Sequence, residues 1–167
     1  MTEYLTVAES GRTWEFGFAD MVRFHGGGSP GGVAIAFKVL QRAFGILSPR
    51  QPPQRRLIEV QTAFRGPGAR DGVEAVTRAV SDHRYHVDRR LVRADLGPLL
   101  EDFVFDIAVA DLRTTLVLQP GFTTTEFIEL ARTDNRSALE EHRLDELKAA
   151  LAQQVMNHPA EQVFALA

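Results

Sequence analysis

Apolar residues recur at spacings of three and four between Gly32 and Phe44, where Val33, Ala36, Phe37, Leu40 and Phe44 fall on one stripe. That period predicts a helix with one buried face. A shorter helix is predicted within "EFGFADMVR" (residues 15–23), ending before a run of glycines, and another from Asp71 to Val80 after a Gly-Pro-Gly turn. The segment "LIEVQTAF" (57–64) is rich in β-formers and has the length of a strand. "FVFDIAVADLRTTLVLQP" (103–120) holds two alternating runs around a tight connection near Ala110–Arg113, the pattern of an antiparallel hairpin. The period of "RYHVDRRLVRADL" (84–96) is indistinct and fits one bent strand or two short ones.

Further along, Thr123–Glu126 has the form of a capping box, with Phe122 and Phe127 as its hydrophobic staple. A helix to about Arg132 follows. Residues 137–156 predict a long amphipathic helix with Leu139, Leu144, Leu147, Leu151 and Val155 inward, and "NHPAEQVFAL" a short one with Pro159 in its first turn. The proline-rich "ILSPRQPPQRR" (46–56) reads as an exposed connection. This order of elements predicts an α+β fold, a mixed or antiparallel sheet flanked by helices. One domain covers 1–167, with residues 1–14 as a flexible N-terminal segment and 134–167 as C-terminal helices.

Composition narrows the function classes. The 167 residues are 44% hydrophobic and 25% charged, ordinary values for a globular chain long enough to bury a sizeable core. A net charge of −3 with interspersed signs argues against a general nucleic-acid or membrane surface. The absence of cysteine excludes disulfides, thiolate metal sites and a thiol nucleophile. The amino terminus carries acids and lacks the apolar core of a signal peptide, and no apolar run approaches the roughly 20 residues of a membrane span. The expected location is the cytoplasm.

Candidate chemistry concentrates in two glycine-punctuated turns. "FHGGGSPGG", beginning at Phe24, precedes the first long helix. Glycines there allow close backbone approach, and a helix start offers unpaired N–H groups that favour a carboxylate or phosphate. The stretch is neither a P-loop nor a dinucleotide fingerprint. "FRGPGARDG" repeats the theme after a strand, and Asp71 reads there chiefly as a helix cap. Should the two turns converge, His25, Gly26, Gly27, Ser29, Arg65, Arg70 and Asp71 would line one pocket for an anionic or polar heteroaromatic ligand. His25 would be its one group suited to proton transfer. A Ser29–His25 dyad lacks an orienting acid and the flanking pattern of a nucleophile elbow. In "SDHRYHVD", His83 and His86 stand three apart, a helix-face spacing with no supporting metal motif. His142 and His158 read as surface or capping groups.

The run Phe24–Gly31 resembles the "FHGHxCPG" signature of the FmdE-like family, the domains similar to a component of formylmethanofuran dehydrogenase. Three further features follow in the family's order: Glu59 on a strand leading to "GARDGVEAV", the stretch "AVSDHRYHVD", and the terminal "HPAEQVFAL". The resemblance implies an α+β fold with a mixed sheet, often dimeric, and a metal held by the His and Cys positions of the motifs. Here Gly27 stands for the second His, Ser29 for the Cys, and Gly68 or its neighbour for the second Cys, so the implied thiolate site does not carry over.

The resulting expectation is a metal-free FmdE-like domain that binds a small polar or anionic molecule, with a pterin- or methanofuran-type carrier of one-carbon metabolism as the implied ligand. Two rivals stand beside it. One is an accessory or assembly protein acting through its interface, as a homodimer or a component of a hetero-complex. The other is a metalloenzyme dependent on His25.

Overall fold

Two consecutive residues with positive φ, Ser10 at 54° and Gly11 at 75°, turn the beginning of the chain back on itself. Tight hairpins need such dihedrals because their twist matches that of the flanking strands. The computed structural model describes residues 3–167. In it, strand β1 (Tyr4–Glu9) pairs antiparallel with β2 (Arg12–Gly17). The expected flexible segment 1–14 is therefore largely an ordered hairpin, because Leu5 and Val7 are buried in the core. Its short alternation in a polar context was too brief to show this.

Helix α1 (Phe18–His25) starts where β2 ends, so the predicted helix 15–23 is displaced towards the glycines. Gly17 N–H donates to Asp20 Oδ2 at 2.8 Å, and the helix ends on Gly26, whose φ of 91° suits glycine alone. Helix α2 (Pro30–Leu47) contains the whole predicted apolar stripe and is buried on most of its circumference. Lys38 lies within that buried stretch at 1% exposure, and its Nζ donates to Glu3 Oε2 at 2.8 Å. Lys38 holds the Glu3 carboxyl below the usual range. In the following connection Pro49, Arg50, Gln51, Gln54 and Arg56 are exposed, Ser48, Pro52 and Arg55 are half-buried, and Pro53 is buried and its carbonyl accepts the Ala8 N–H at 2.9 Å.

Five strands form the main sheet in the order β4-β3-β5-β6-β7. Strands β3 (Ile58–Thr62), β5 (Val104–Val109) and β6 (Leu112–Leu118) pair antiparallel in succession, whereas β4 (Tyr85–Val87) pairs parallel to β3. The parallel pair needs a crossover, which helix α3 (Pro67–Thr77) supplies. Ile58, Val60, Phe105, Ile107, Leu116 and Leu118 point to the helices and are buried; Glu59, Gln61, Asp106, Arg113 and Thr115 hold the opposite face. Each large side chain so buried contributes about 1.5–3 kcal/mol of transfer free energy. The sheet is mixed and carries helices on its apolar face, so the fold is α+β.

The C-terminal third contains α4 (Thr125–Arg132), α5 (Ala138–Met156), α6 (Ala160–Val163) and β7 (Phe164–Leu166). Four details differ from expectation. Thr124 caps α4, accepting the Phe127 N–H at 3.1 Å, while Thr123 turns away to donate to the Leu99 carbonyl at 2.9 Å. Leu139 is 79% exposed because it lies in the first turn of α5, beyond the reach of the core. The chain end is a strand added to β6, not helix; Phe164 is buried against Phe105, with ring centroids 5.8 Å apart. The "RYHVDRRLVRADL" segment yields only the three residues of β4, followed by two short 3₁₀ turns, Arg89–Leu91 and Ala94–Leu96. No helix among the described residues is long and apolar enough to cross a membrane.

Candidate functional site

The site begins with the packing of α2 on α3. A Cβ built on Gly32 would lie 2.8 Å from Ala69 N and 3.1 Å from Gly68 Cα; one on Gly72 would lie 2.7 Å from Ala36 Cβ. A Cβ on Gly68 would fall inside the van der Waals shell of the Ser29 carbonyl oxygen. Small residues four apart on each helix, Gly32 and Ala36 against Gly68 and Gly72, thus let two backbones touch. Because position 32 meets 68 and 36 meets 72, the helices run parallel and begin side by side. The two glycine-rich turns, some forty residues apart in sequence, meet in space.

Neither helix start is capped by a side chain, neither carries an acid in its first turn, and each has proline at its beginning. The first N–H groups of an α-helix have no acceptor within the helix. Those of Gly31 and Gly32 on α2, and of Gly68 on α3, therefore remain as donors, whereas the Ala69 N–H is buried against Gly32. The two parallel macrodipoles add their positive ends at one place.

Those helix starts form one side of a cavity of about 400 Å³, lined there by Ser29, Gly31, Gly32, Gly66, Pro67 and Gly68. The wall is apolar. Phe64 and Phe103 stack with centroids 4.6 Å apart and 27° between planes, and Phe127, Ile128 and Leu144 continue the surface. The lining also carries Arg65, Arg132, Arg136 and Lys148. Arg132 faces Glu101 at 3.3 Å, and Arg136 reaches Glu141 at 2.9 Å while donating to the carbonyls that end α4. Lys148 Nζ donates to the Gly28 carbonyl at 3.1 Å, and neither it nor Arg65 has a carboxylate within ion-pair distance among the described residues. The single acid on the lining, Asp102, is taken by Arg89 at 2.9 Å and faces Arg132 at 3.8 Å. Apart from that satisfied carboxylate, the charged side chains on the lining are all cationic donors.

His25 lies behind this cavity, not in it. Its side chain is 7% exposed; Nδ1 is 2.8 Å from Asp71 Oδ2, and Nε2 accepts the Ser29 backbone N–H at 3.0 Å. Because Nε2 accepts, the proton of the neutral ring sits on Nδ1 and is donated to the carboxylate. The ring thus clamps the end of α1 and the glycine loop to α3. Asp71 is in the second turn of α3, past Gly66 at the N-cap, so the expected helix cap is instead one jaw of this clamp. An acid does orient His25, but the serine presents its backbone N–H, not its hydroxyl, to Nε2. Proton transfer by His25 would require releasing that bond.

Of the residues singled out in the sequence, Ser29 and Arg65 line the cavity, and His25 and Asp71 join each other. Gly26 and Gly27 lie exposed on the loop outside it, and Arg70 is exposed beside Asp71, 3.9 Å away. Apart from Phe64 and Arg65, the wall and the cationic side chains come from α4, α5, their connection and the segment before β5, none of which sequence reasoning selected. The spacing of Phe127, Ile128 and Ala131 on a short helix, with Arg132 and Arg136 four apart, was the available signal. Nothing local marks Lys148.

The metal implied by the motif resemblance does not fit these residues. Both ring nitrogens of His25 are engaged, Gly27 and Gly68 bring no ligand atoms, and among the described residues no three His, Cys, Asp or Glu side chains cluster. In "SDHRYHVD", His83 takes a turn conformation at φ 59° and His86 lies exposed on β4. There Arg56 and Arg84 bind Asp82, and Arg90 binds Asp88. Neither a scan against protein-family models nor a search of curated proteins gives a match.

Proposed function

We propose that the protein binds a small organic anion with an apolar or aromatic body, its charged end at the paired starts of α2 and α3. The observation that supports this most directly is the one-sided chemistry of the cavity: donors at the paired helix starts and in four cationic side chains, stacked phenylalanines along the wall, and no free carboxylate among the described lining residues. A ligand whose head only accepts hydrogen bonds, such as a carboxylate or phosphate, matches it. A volume of about 400 Å³ lies within the range of ordinary small-molecule sites.

The likeness of Phe24–Gly31 and its companion segments to FmdE-like domains supports a small-molecule role at the same loops, and one-carbon carriers are polar and anionic. A methanofuran- or pterin-type carrier would enter by its anionic end. The donor-bearing edge of a pterin ring requires an acceptor, and Asp102 is already held by Arg89 and Arg132.

The test is a thermal-shift screen with aromatic carboxylates, phosphate monoesters, pterins and their neutral isosteres. Carboxylates or phosphates with an apolar body should raise Tm in a concentration-dependent way, about 2.7 kcal/mol at a hundredfold excess over Kd. Neutral isosteres should not, and Lys148→Ala together with Arg65→Ala should reduce the effect. Stabilisation by the neutral isosteres alone, or by no compound at millimolar concentration, would rule the proposal out.

A further inference from the structure

The outer edge of β2 carries an unsatisfied ladder whose geometry fixes what can pair with it. Glu9 and Arg12 close the hairpin across the two-residue turn and form a hydrogen-bonded pair. Bonded and non-bonded pairs alternate along an antiparallel ladder. Ala8↔Thr13 and Thr6↔Glu15 are therefore non-bonded pairs. Ala8 agrees with this, since its N–H turns away from β2 to the Pro53 carbonyl at 2.9 Å. On β2, the N–H and C=O groups of Thr13 and Glu15 point outward, four backbone groups without a partner among the described residues.

The usual edge protections are reduced here to the charges of Arg12 and Glu15. The strand has no proline, lysine or bulge, and Arg12–Glu15 are all exposed. Of the other edges, β4 and β7 are three residues each, and β1 is bridged at Ala8 to the Pro53–Gln54 segment. Trp14, 46% exposed, lies mid-strand on the same face as the buried Val7, and neither Arg12 nor Glu15 has an ion pair among the described residues.

We propose that β2 pairs antiparallel with β2 of a second copy, with the two-fold axis at Trp14. A two-fold perpendicular to the sheet allows only registers in which some residue faces itself. Centred on Trp14, Thr13 faces Glu15 of the second copy and Glu15 faces its Thr13. All four outward groups are then bonded on each chain, and the threonine hydroxyls meet the carboxylates. The two Trp14 side chains then form the close, non-bonded pair between these rungs. Centring on Glu15 would set like charges directly opposite, and centring on Thr13 would leave Glu15 facing the turn glycine Gly11. The edge is self-complementary in one register.

Trp14 is the sole tryptophan, so its fluorescence reports on this contact alone. Light scattering should show a dimer whose fraction rises with concentration. Trp14 emission should move to the blue and lose acrylamide quenching in parallel. Thr13→Pro removes an outward N–H but no bond of the hairpin, and should give a folded monomer with fully quenchable Trp14. Trp14→Glu, which puts like charges on the axis, should likewise give a monomer without touching the backbone. A chain that is monomeric at every concentration overturns the proposal. So does a dimer that survives both substitutions, or one in which Trp14 stays fully quenchable.

Discussion

The glycines of the first turn and those at the α2–α3 crossing occupy similar local sequence, yet they meet different surroundings. Around Gly26 and Gly27 there is open space, and around Gly28 only the edge of the His25 ring at 3.9 Å. Gly26 is needed for its φ; Gly27 has neither a positive φ nor a neighbour. At Gly32, Gly68 and Gly72 the opposite holds, because ordinary helical dihedrals coexist with backbone or side-chain atoms where a Cβ would go. One set of glycines shapes a loop and the other lets two helices touch. The cavity depends on the second set, since only that contact brings both helix starts to one place.

Gly68→Ala separates these roles with the largest effect. Its methyl has nowhere to go except against the Ser29 carbonyl, so α2 and α3 must move apart. A loss of about 3 kcal/mol or more is expected in denaturant unfolding, with anion binding lost as well. A variant as stable as the parent would refute the crossing as described.

Next comes the clamp. Asp71→Ala leaves the His25 Nδ1–H buried without an acceptor and should cost about 1–3 kcal/mol. Asp71→Asn, which keeps an oxygen for that proton, should cost less. In a double-mutant cycle with His25→Ala the pair should be non-additive, and strict additivity would mean that the two side chains do not act together.

The smallest effect belongs to Gly27→Ala. It should leave the melting temperature unchanged or raise stability by about 0.4–1 kcal/mol, because the substitution restricts the unfolded chain at a site with room for a methyl. A marked loss there would erase the contrast between the two sets.

How much of this was legible varies by element. The stripe from Val33 to Phe44 pointed to α2, because a helix buried on one face repeats its apolar positions every three or four residues. The β5–β6 hairpin was equally plain from its alternation around Ala110. The β1–β2 hairpin was not, because most of β2 is exposed on both faces and its turn is written Ser-Gly. β7 was hidden because three residues are too few to show a period, and its strand character exists only through pairing with β6. At the site, the glycine turns drew attention to the right part of the chain. The partner of His25, 46 positions away, carried no local mark, and its acid looked like a cap because acids near helix starts usually are.

By itself, the sequence determined the elements whose periodicity covers several turns or rungs, the α+β order of those elements, and the absence of thiolate chemistry. These follow from local sterics and from which face each element must bury. Only the tertiary structure decided that two helix starts share one cavity, that His25 braces the loop behind it, and that most of the apolar wall comes from residues after position 100. Such facts depend on backbones approaching to contact distance across long stretches of chain, and the residue that permits that approach, glycine, looks the same in sequence whether it is beside open space or beside another helix.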